Sequence, residues 1–439
     1  MRILILTAFF PPQNSIASLR PYSWAKYWTL LGHQVTVLTP GKQISSTDLD
    51  FENPGYSVIE VDLPSWLRRL KHSYQGEPPQ IKDSTRFFSI KNYLKRKAVA
   101  FFNTLRHSKG IFNSCRMPDF LDFWKKRAWD ELSKEEPWDL VVSTSGPYTV
   151  HFLADKLKKK KLARAWIADF RDTWSNSFIY PGIFPFNLLE PYFEKKLMKN
   201  ADFITTVSSP FASVLEKLHG LNKVHVIENG FDPEDLKTLD KRPIFPQDGK
   251  LRIVHTGTIY LGKRDPSPLF AAIEKIASSP SSRPLLNKLE VLFPGPYQAN
   301  LSSLIEQYKV GDWVKMPGFL SRPEALRMQR DADYLLFLPW NDPNIDGVLT
   351  GKIFEYLFSK TPILSIGCEK IEASQKLILE AKAGLSLGNA ANIYSFLLNI
   401  LEDKKEKPLL ENDSFLEKYK RNFLAKQLIN LVIGEKNTI

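Results

Sequence analysis

Two glycine-bearing stretches in the second half of the chain set cations beside backbone that a ligand can approach. The first, Gly257-Thr-Ile-Tyr-Leu-Gly262-Lys263-Arg264-Asp265, follows the apolar run Arg252–Thr256. Glycine admits a ligand close to the main chain, and adjacent Lys and Arg side chains hold a diphosphate by charge and forked hydrogen bonds. A solvated turn after a strand has the same composition. The second stretch, Asp346-Gly347-Val348-Leu349-Thr350-Gly351-Lys352-Ile353-Phe354-Glu355-Tyr356, reads as a loop leading into a helix. Loop amides and a helix N-terminus favour anionic oxygens, and Glu355, one turn in, can accept hydrogen bonds from a ribose diol. Read alone, Glu355 is equally a dipole-favoured first-turn acid, and Lys352 an exposed base.

A third group lies in the first half. Asp169, Arg171 and Asp172 come just past the apolar run Ala165–Asp169, where a parallel sheet presents its ligands. A carboxylate there can orient an acceptor hydroxyl, while Arg171 can bind a phosphate or hold the two acids apart. Catalysis and structural ion pairing both fit. His151, in Pro147-Tyr-Thr-Val-His-Phe, is a second polar candidate, with a place on the surface of a helix as its plainer reading. The triplet Asp331-Ala-Asp333 resembles a metal-binding D-x-D, but it precedes its strand instead of ending it, so it reads as a helix terminus and no metal is expected. Neither a Walker P-loop nor a G-x-G-x-x-G after the first strand is present, which removes the usual marks of nucleotide hydrolysis and dinucleotide redox chemistry.

The elements that must position these residues alternate between short apolar runs and longer helix-period segments, the pattern of parallel sheets with crossover helices. Strands are expected at Ile3–Leu6, Val35–Leu38, Leu140–Ser143, Ala165–Asp169, Phe203–Val207 and Val224–Ile227. A Pro- and Lys-rich passage, Leu239–Lys250, interrupts the series, which restarts at Arg252–Thr256, Glu290–Phe293, Val314–Pro317, Tyr334–Leu338 and Ile363–Ile366. The expected organisation is an N-terminal Rossmann-like domain over 1–240, a second over 250–410, a cleft between them, and a last helix within 411–439 packing back across the junction.

At 439 residues the chain is long enough for two such domains. Cys115 and Cys368 are too few for a disulfide framework and fit a reducing compartment. The run Ile3–Phe10 reads as a buried strand and not a leader, because Pro11-Pro12 stand where small cleavage-site residues would be. The net charge is +12, and from Arg68 to Lys109 eleven basic residues face two acidic ones. That segment, an insertion near 64–115, includes a stripe of Ile90, Tyr93, Leu94, Ala98, Phe101, Phe102 and Leu105 at helical spacing. Such a helix either lies on an anionic membrane or packs its stripe on the N-terminal domain; a lipid-linked acceptor favours the first. The segment has no recognisable nucleic-acid module, so nucleic acid is not an expected partner.

Taken together, the motifs resemble family 4 glycosyltransferases over almost the whole chain. Met1-Arg-Ile-Leu-Ile-Leu-Thr-Ala-Phe-Phe-Pro-Pro, Arg20 and Leu31-Gly-His-Gln-Val-Thr-Val-Leu-Thr look like the first βαβ unit of that family. Ala168-Asp-Phe-Arg-Asp-Thr-Trp174, Thr206-Val-Ser-Ser209 and Glu228-Asn-Gly-Phe-Asp232 are similar to its N-terminal strand ends, and Gly257–Asp265 and Gly351–Leu357 to its donor domain. The resemblance implies an α/β GT-B fold and a retaining transfer of sugar from a nucleotide diphosphate sugar to a saccharide or lipid-linked acceptor, in cell-surface polysaccharide assembly. It implies no cofactor. The cysteine usage fits a cytoplasmic protein, and the basic segment leaves open whether it is peripheral at the inner face of the plasma membrane.

By the same resemblance Glu355 binds the donor ribose, Lys263 or Arg264 the diphosphate, and the amides of Gly347, Val348, Leu349 and Thr350 the distal phosphate, beside Gly257 and Lys352. Asp169, Arg171 and Asp172 are the catalytic candidates, and Arg20 and His151 stand on the acceptor side. The sequence departs from the family at two places. Gly347 occupies the position of a glutamate eight residues before the ribose-binding one, with Asp346 beside it as the substitute catalytic carboxylate, and the loop Pro12–Arg20 lacks glycine. A GT-B nucleotide-sugar epimerase, or a non-catalytic nucleotide-sugar-binding scaffold, is the alternative reading.

Overall fold

The computed structural model describes residues 1–41, 49–65, 67, 90–177, 179–260, 262–342, 347–367, 372–402 and 413–436. Asp346, Cys368 and the basic residues from Arg68 to Arg86 lie outside them. The described chain forms two compact units, one of Met1–Ile227 with Ala425–Ile439, the other of Glu228–Leu424. The division falls at Ile227, ahead of the passage Leu239–Lys250 where the sequence suggests a linker.

The first unit is built on a seven-stranded sheet of order β3-β2-β1-β4-β5-β6-β7. Its strands are β1 Arg2–Thr7, β2 Gln34–Pro40, β3 Ser57–Val61, β4 Trp138–Ser145, β5 Ala163–Phe170, β6 Phe203–Thr206 and β7 Val224–Val226. Every pairing is parallel. Ile3, Leu4, Ile5 and Leu6 are all fully buried, because crossover helices cover both faces and a central strand must then be apolar without alternation. That is why the sequence reveals β1 plainly. The sequence reading missed β3, a short edge strand in which Ser57, Val58 and Glu60 are exposed and only Val61 is buried, so it carries no such run.

The second unit holds a six-stranded parallel sheet, β10-β9-β8-β11-β12-β13, with β8 Leu251–Val254, β9 Leu289–Leu292, β10 Val314–Lys315, β11 Tyr334–Phe337, β12 Ile363–Ile366 and β13 Gly384–Leu387. This is the doubly wound Rossmann order, in which the chain reverses direction across the sheet beside its first strand and ligands gather at the carboxyl ends. Here that switch point lies between β8 and β11, which pair through Ile253 and Val254. The triplet Asp331-Ala-Asp333 ends the helix Arg322–Asp331. Asp331 accepts from Ile244 N, at 2.8 Å, and from the Arg330 guanidinium; Asp333 accepts from Arg252 N at 2.9 Å.

The last helix, Arg421–Lys436, contributes Arg421 to the second unit and its length from Ala425 to the first. Within the first unit, Trp28 Nε1 donates to Ala425 O at 2.8 Å. Within the second, Arg421 Nε donates to Gly230 O at 3.1 Å and its amide to Phe231 O at 2.9 Å.

Candidate donor and acceptor sites

In the second unit, the end of β8 and the start of the helix Gly351–Ser359 come together through Tyr356. Its hydroxyl accepts from Thr256 N at 2.9 Å, and Gln329 Nε2 donates to Thr256 Oγ1 at 2.8 Å. These contacts set the first turn of that helix beside Gly257. A Cβ on Gly257 would stand 2.7 Å from His255 Nε2 and 2.9 Å from Lys352 Cε, so only glycine leaves room for both side chains. Thr350, the residue before the helix, makes no side-chain cap; the Ile353 amide bonds Thr350 O at 3.2 Å, which leaves the amides of Gly351 and Lys352 for another acceptor. The preceding turn is tied down by Asn229, whose Nδ2 donates to Leu349 O at 3.1 Å, and Gly347 adopts φ of 95°.

Charge converges here. Glu355, 9% exposed, is joined through Oε1 to Arg322 Nη1 at 2.7 Å, and Arg322 Nη2 reaches Asp235 Oδ2 at 2.7 Å. Burial opposes ionisation of Glu355, but the Arg322 guanidinium and Lys352 outweigh it and hold the carboxyl below its ordinary range. Lys352 moves the other way. Burial pushes its ammonium down to about 8, Arg264 and Arg322 add to the depression, and Glu355 offsets part of it. His255 is held down to about 3 by burial and by Lys352, while its Nδ1 bonds Leu336 O at 2.8 Å. The ring is therefore neutral, Nδ1 carries the proton, and Nε2 is an acceptor with no hydrogen-bond partner among the described residues.

The two candidates for holding a diphosphate differ in their surroundings. Lys263 Nζ is engaged by the Asp342 carboxylate. Arg264 stands beside the paired rings of Tyr260 and Trp340, at 5.7 and 5.6 Å, within electrostatic reach of Lys352 and His255. Arg264 with Lys352 thus forms the cationic pair next to the open helix N-terminus. The sequence reading missed Arg322, Asp235, His255 and Asn229. Ser321-Arg-Pro-Glu324 reads as a helix start, and it is one: Ser321 and Glu324 form a capping box. Nothing local marks Arg322 as the partner of a carboxylate 33 residues away.

In the first unit the acceptor-side candidates separate. Asp169 ends β5 fully buried, with Arg20 Nη2 on Oδ1 at 2.7 Å and Arg20 Nε on Oδ2 at 3.1 Å. Thr144 and Thr205 hydroxyls complete it at 2.7 and 2.8 Å. Burial raises its pKa, yet the Arg20 charge and these donors outweigh that and hold the carboxylate ionised below the ordinary range. Four donors on a sealed carboxylate make a pin between β4, β5, β6 and the first helix, Ile16–Leu30. Arg20 Nη2 extends the pin to Ile227 O at 2.8 Å.

Arg171 is half-buried, with Nε on Ser145 O at 2.7 Å and Nη2 on Gly146 O at 3.0 Å. Asp172 is exposed. His151 is not on a helix surface: it is fully buried, because its helix Thr149–Lys159 packs on β4 and β5 with that face inward. Its Nδ1 meets Ser143 Oγ at 2.8 Å, the ring lies tilted against Phe170 at 4.8 Å, and burial holds it down to about 4. The ring is closed off from solvent, whereas Arg171 is half-buried and Asp172 exposed just past the end of β5.

Comparison with known proteins adds a second line. Residues 93–235 match Glycosyltransferase Family 4. A relative from Escherichia coli strain K12, WcaL, bears the name of a colanic acid biosynthesis glycosyltransferase and is 27% identical over 143 residues. The match takes in 32% of this chain and 33% of that protein, so it spans a third of the curated relative's length. Sucrose-phosphate synthase from Thermosynechococcus elongatus is similar in structure with a TM-score of 0.62 at 13% identity, covering 100% of this chain and 99% of that one.

An E. coli structure described as trehalose-6-phosphate bound with UDP-2-fluoro glucose has a TM-score of 0.59 at 11% identity, with 98% and 99% covered. Likeness at such identity shows the fold, two Rossmann-like units of the GT-B type. The matched residues include Asp169, Arg171, Asp172 and His151 and end at Asp235, the partner of Arg322.

Proposed function

We propose that this chain is a retaining glycosyltransferase that takes a sugar from a nucleotide diphosphate donor, bound by the second unit, to a saccharide or lipid-linked acceptor in surface polysaccharide or glycolipid assembly. The observation that carries the reading is the convergence of Glu355, Lys352 and Arg264 around Gly257 and the uncapped helix start at Gly351. In this reading Glu355 accepts from the ribose diol. Arg264, Lys352 and the amides that follow Gly347 take the diphosphate. As the glycosidic bond breaks, the leaving nucleotide diphosphate gains negative charge, and preorganised cations and amides stabilise that state more than the bound substrate. The neutral His255 Nε2 is suited to accept a hydroxyl.

On the acceptor side Arg171 and Asp172 are the groups placed to meet a substrate, and Asp169 with Arg20 acts by holding the strand ends in register. Asp346 is the proposed stand-in for the family glutamate, on the strength of its sequence position alone. Turnover without an added cofactor or divalent ion is part of the proposal, because the cations named above supply the charge such an ion would bring.

The proposed setting is the inner face of a bacterial plasma membrane, with anionic lipid as a partner. The basic surplus between Arg68 and Lys109 supports it. No helix among the described residues is long and apolar enough to cross a membrane.

A thermal-shift screen of nucleoside diphosphates tests the donor half directly. A ligand at about 100 times its Kd adds about 2.7 kcal/mol of stability; no shift with any nucleoside diphosphate refutes the assignment.

A further inference from the structure

The helix Phe186–Met198 in the first unit buries both of its carboxylates, beside Leu197 and Met198, and turns other apolar side chains outward. Its two acidic residues, Glu190 and Glu194, are 0% and 1% exposed, whereas Phe184, Leu188 and Tyr192 are 76%, 66% and 60% exposed. Scattered exposed apolar side chains are ordinary, but Leu188 and Tyr192 stand four apart on one helix face, and Phe184 lies just before the helix. The inversion is held from within. Glu190 Oε1 accepts from Met117 N at 2.6 Å and Trp174 Nε1 at 3.4 Å, and the Arg116 guanidinium closes on its other oxygen. Glu194 Oε2 accepts from Ser175 N at 2.8 Å and Oε1 meets His219 Nε2 at 3.0 Å. Rotating the helix to hide Leu188 and Leu189 would tear both carboxylates from these partners, so that face is fixed outward.

We infer that this outward face, from Phe184 through Tyr192, inserts into an anionic lipid bilayer. The charge around it selects that occupant. Lys195, Lys196 and Lys199 are exposed on the following turn, Lys196 lies 5.6 Å from the Tyr192 ring, and the helix shows no exposed acid. The preceding loop is joined to the end of the basic helix Ile90–Lys109 by Gly182 N donating to Lys109 O at 3.2 Å. That helix itself exposes Phe101, at 67%, beside exposed Lys97.

An apolar stripe rimmed by lysine and tyrosine is the composition of an interfacial helix, with rings and aliphatic chains below the headgroups and ammonium groups among the phosphates. A second copy of this chain fits less well, since it would bring the same net charge of +12. The inference deepens the membrane part of the reading above and does not depend on the transfer chemistry.

The test is co-sedimentation of the full chain with vesicles of phosphatidylethanolamine and phosphatidylglycerol, against vesicles of phosphatidylcholine alone. The wild type is expected to pellet with the anionic vesicles. Phe184→Ser, Leu188→Ser and Tyr192→Ser combined should cut the bound fraction about ten-fold or more, while the far-UV melting curve stays that of wild type. Leu188→Trp should show a blue-shifted emission on the anionic vesicles only, which reports insertion and not mere adhesion. If the triple variant binds like wild type while Phe101→Ser does not, the inserting face is the basic helix and this inference is overturned with the membrane reading intact. If wild type pellets with neither vesicle, both fall. A concentration-dependent dimer abolished by the triple variant would make the face a protein interface, and would also overturn it.

Discussion

Arg322 bridges Glu355 and Asp235, donating from Nη1 to one carboxylate and from Nη2 to the other, each at 2.7 Å. The proposed ribose acceptor is thereby held by a cation that has a second anchor. Glu355→Gln keeps the shape and removes the charge. It is expected to lower donor kcat/KM about 100-fold, near 2.7 kcal/mol, with a stability loss of about 1–3 kcal/mol from the weakened buried bond. Asp235→Asn weakens the same guanidinium from its other side and should cost similar stability with much less effect on turnover. Denaturant melts and donor saturation kinetics on both variants separate the two. Equal loss of turnover would refute a ribose role for Glu355.

Lys352 should make donor binding pH-dependent. Its pKa, held down to about 8 by burial, means the free protein loses the ammonium as pH rises through 8, whereas a bound diphosphate favours the charged form. Affinity for a nucleoside diphosphate is expected to be level below about pH 8 and to weaken up to about ten-fold per unit above it. Binding there takes up a proton, so calorimetry in buffers of different ionisation heat reads it directly. Lys352→Gln should flatten the profile.

The Arg20–Asp169 pair should behave as a structural element. The folded pKa of Asp169 lies below its unfolded value. Its contribution to stability is therefore complete above about pH 3.9 and is lost as pH falls through the lower folded value. Asp169→Asn leaves a buried guanidinium short of charge, at about 3–5 kcal/mol, measured by urea unfolding. Pairing Asp169→Leu with Arg20→Met should recover much of that loss. Asp169→Asn with native stability and no turnover would instead make Asp169 a catalytic group.

Gly257→Ala tests the crowding at the end of β8. A methyl group 2.9 Å from Lys352 Cε and 2.7 Å from His255 Nε2 must displace both. Lys352 is flexible, but the His255 ring is buried and held by Leu336 O, so the variant should lose about 1–3 kcal/mol of stability while donor affinity drops about ten-fold or more. Titration calorimetry with a nucleoside diphosphate gives the answer, and unchanged affinity would remove Lys352 from the phosphate site.

Much of this protein is legible in one dimension. β1, β4, β5 and β11 are buried on both sides, so their apolar runs announce them wherever they stand. Gly257 and the Gly351–Glu355 turn are readable too, because backbone access and a first-turn carboxylate are properties of a few consecutive residues. Edge strands such as β3, half in water, carry no comparable signal.

What the tertiary structure decided is partnership. Asp169 and Glu355 are both carboxylates near strand or helix ends in sequence, yet one is sealed by Arg20, Thr144 and Thr205, and the other shares Arg322 with Asp235 beside Lys352. Burial, charge balance and the state of a proton depend on side chains tens or hundreds of residues apart, which no local pattern contains. The same holds for the helix Phe186–Met198. Its residue types are those of any amphipathic helix, and only Arg116 and His219, holding its two glutamates inward, turn its apolar face to the outside.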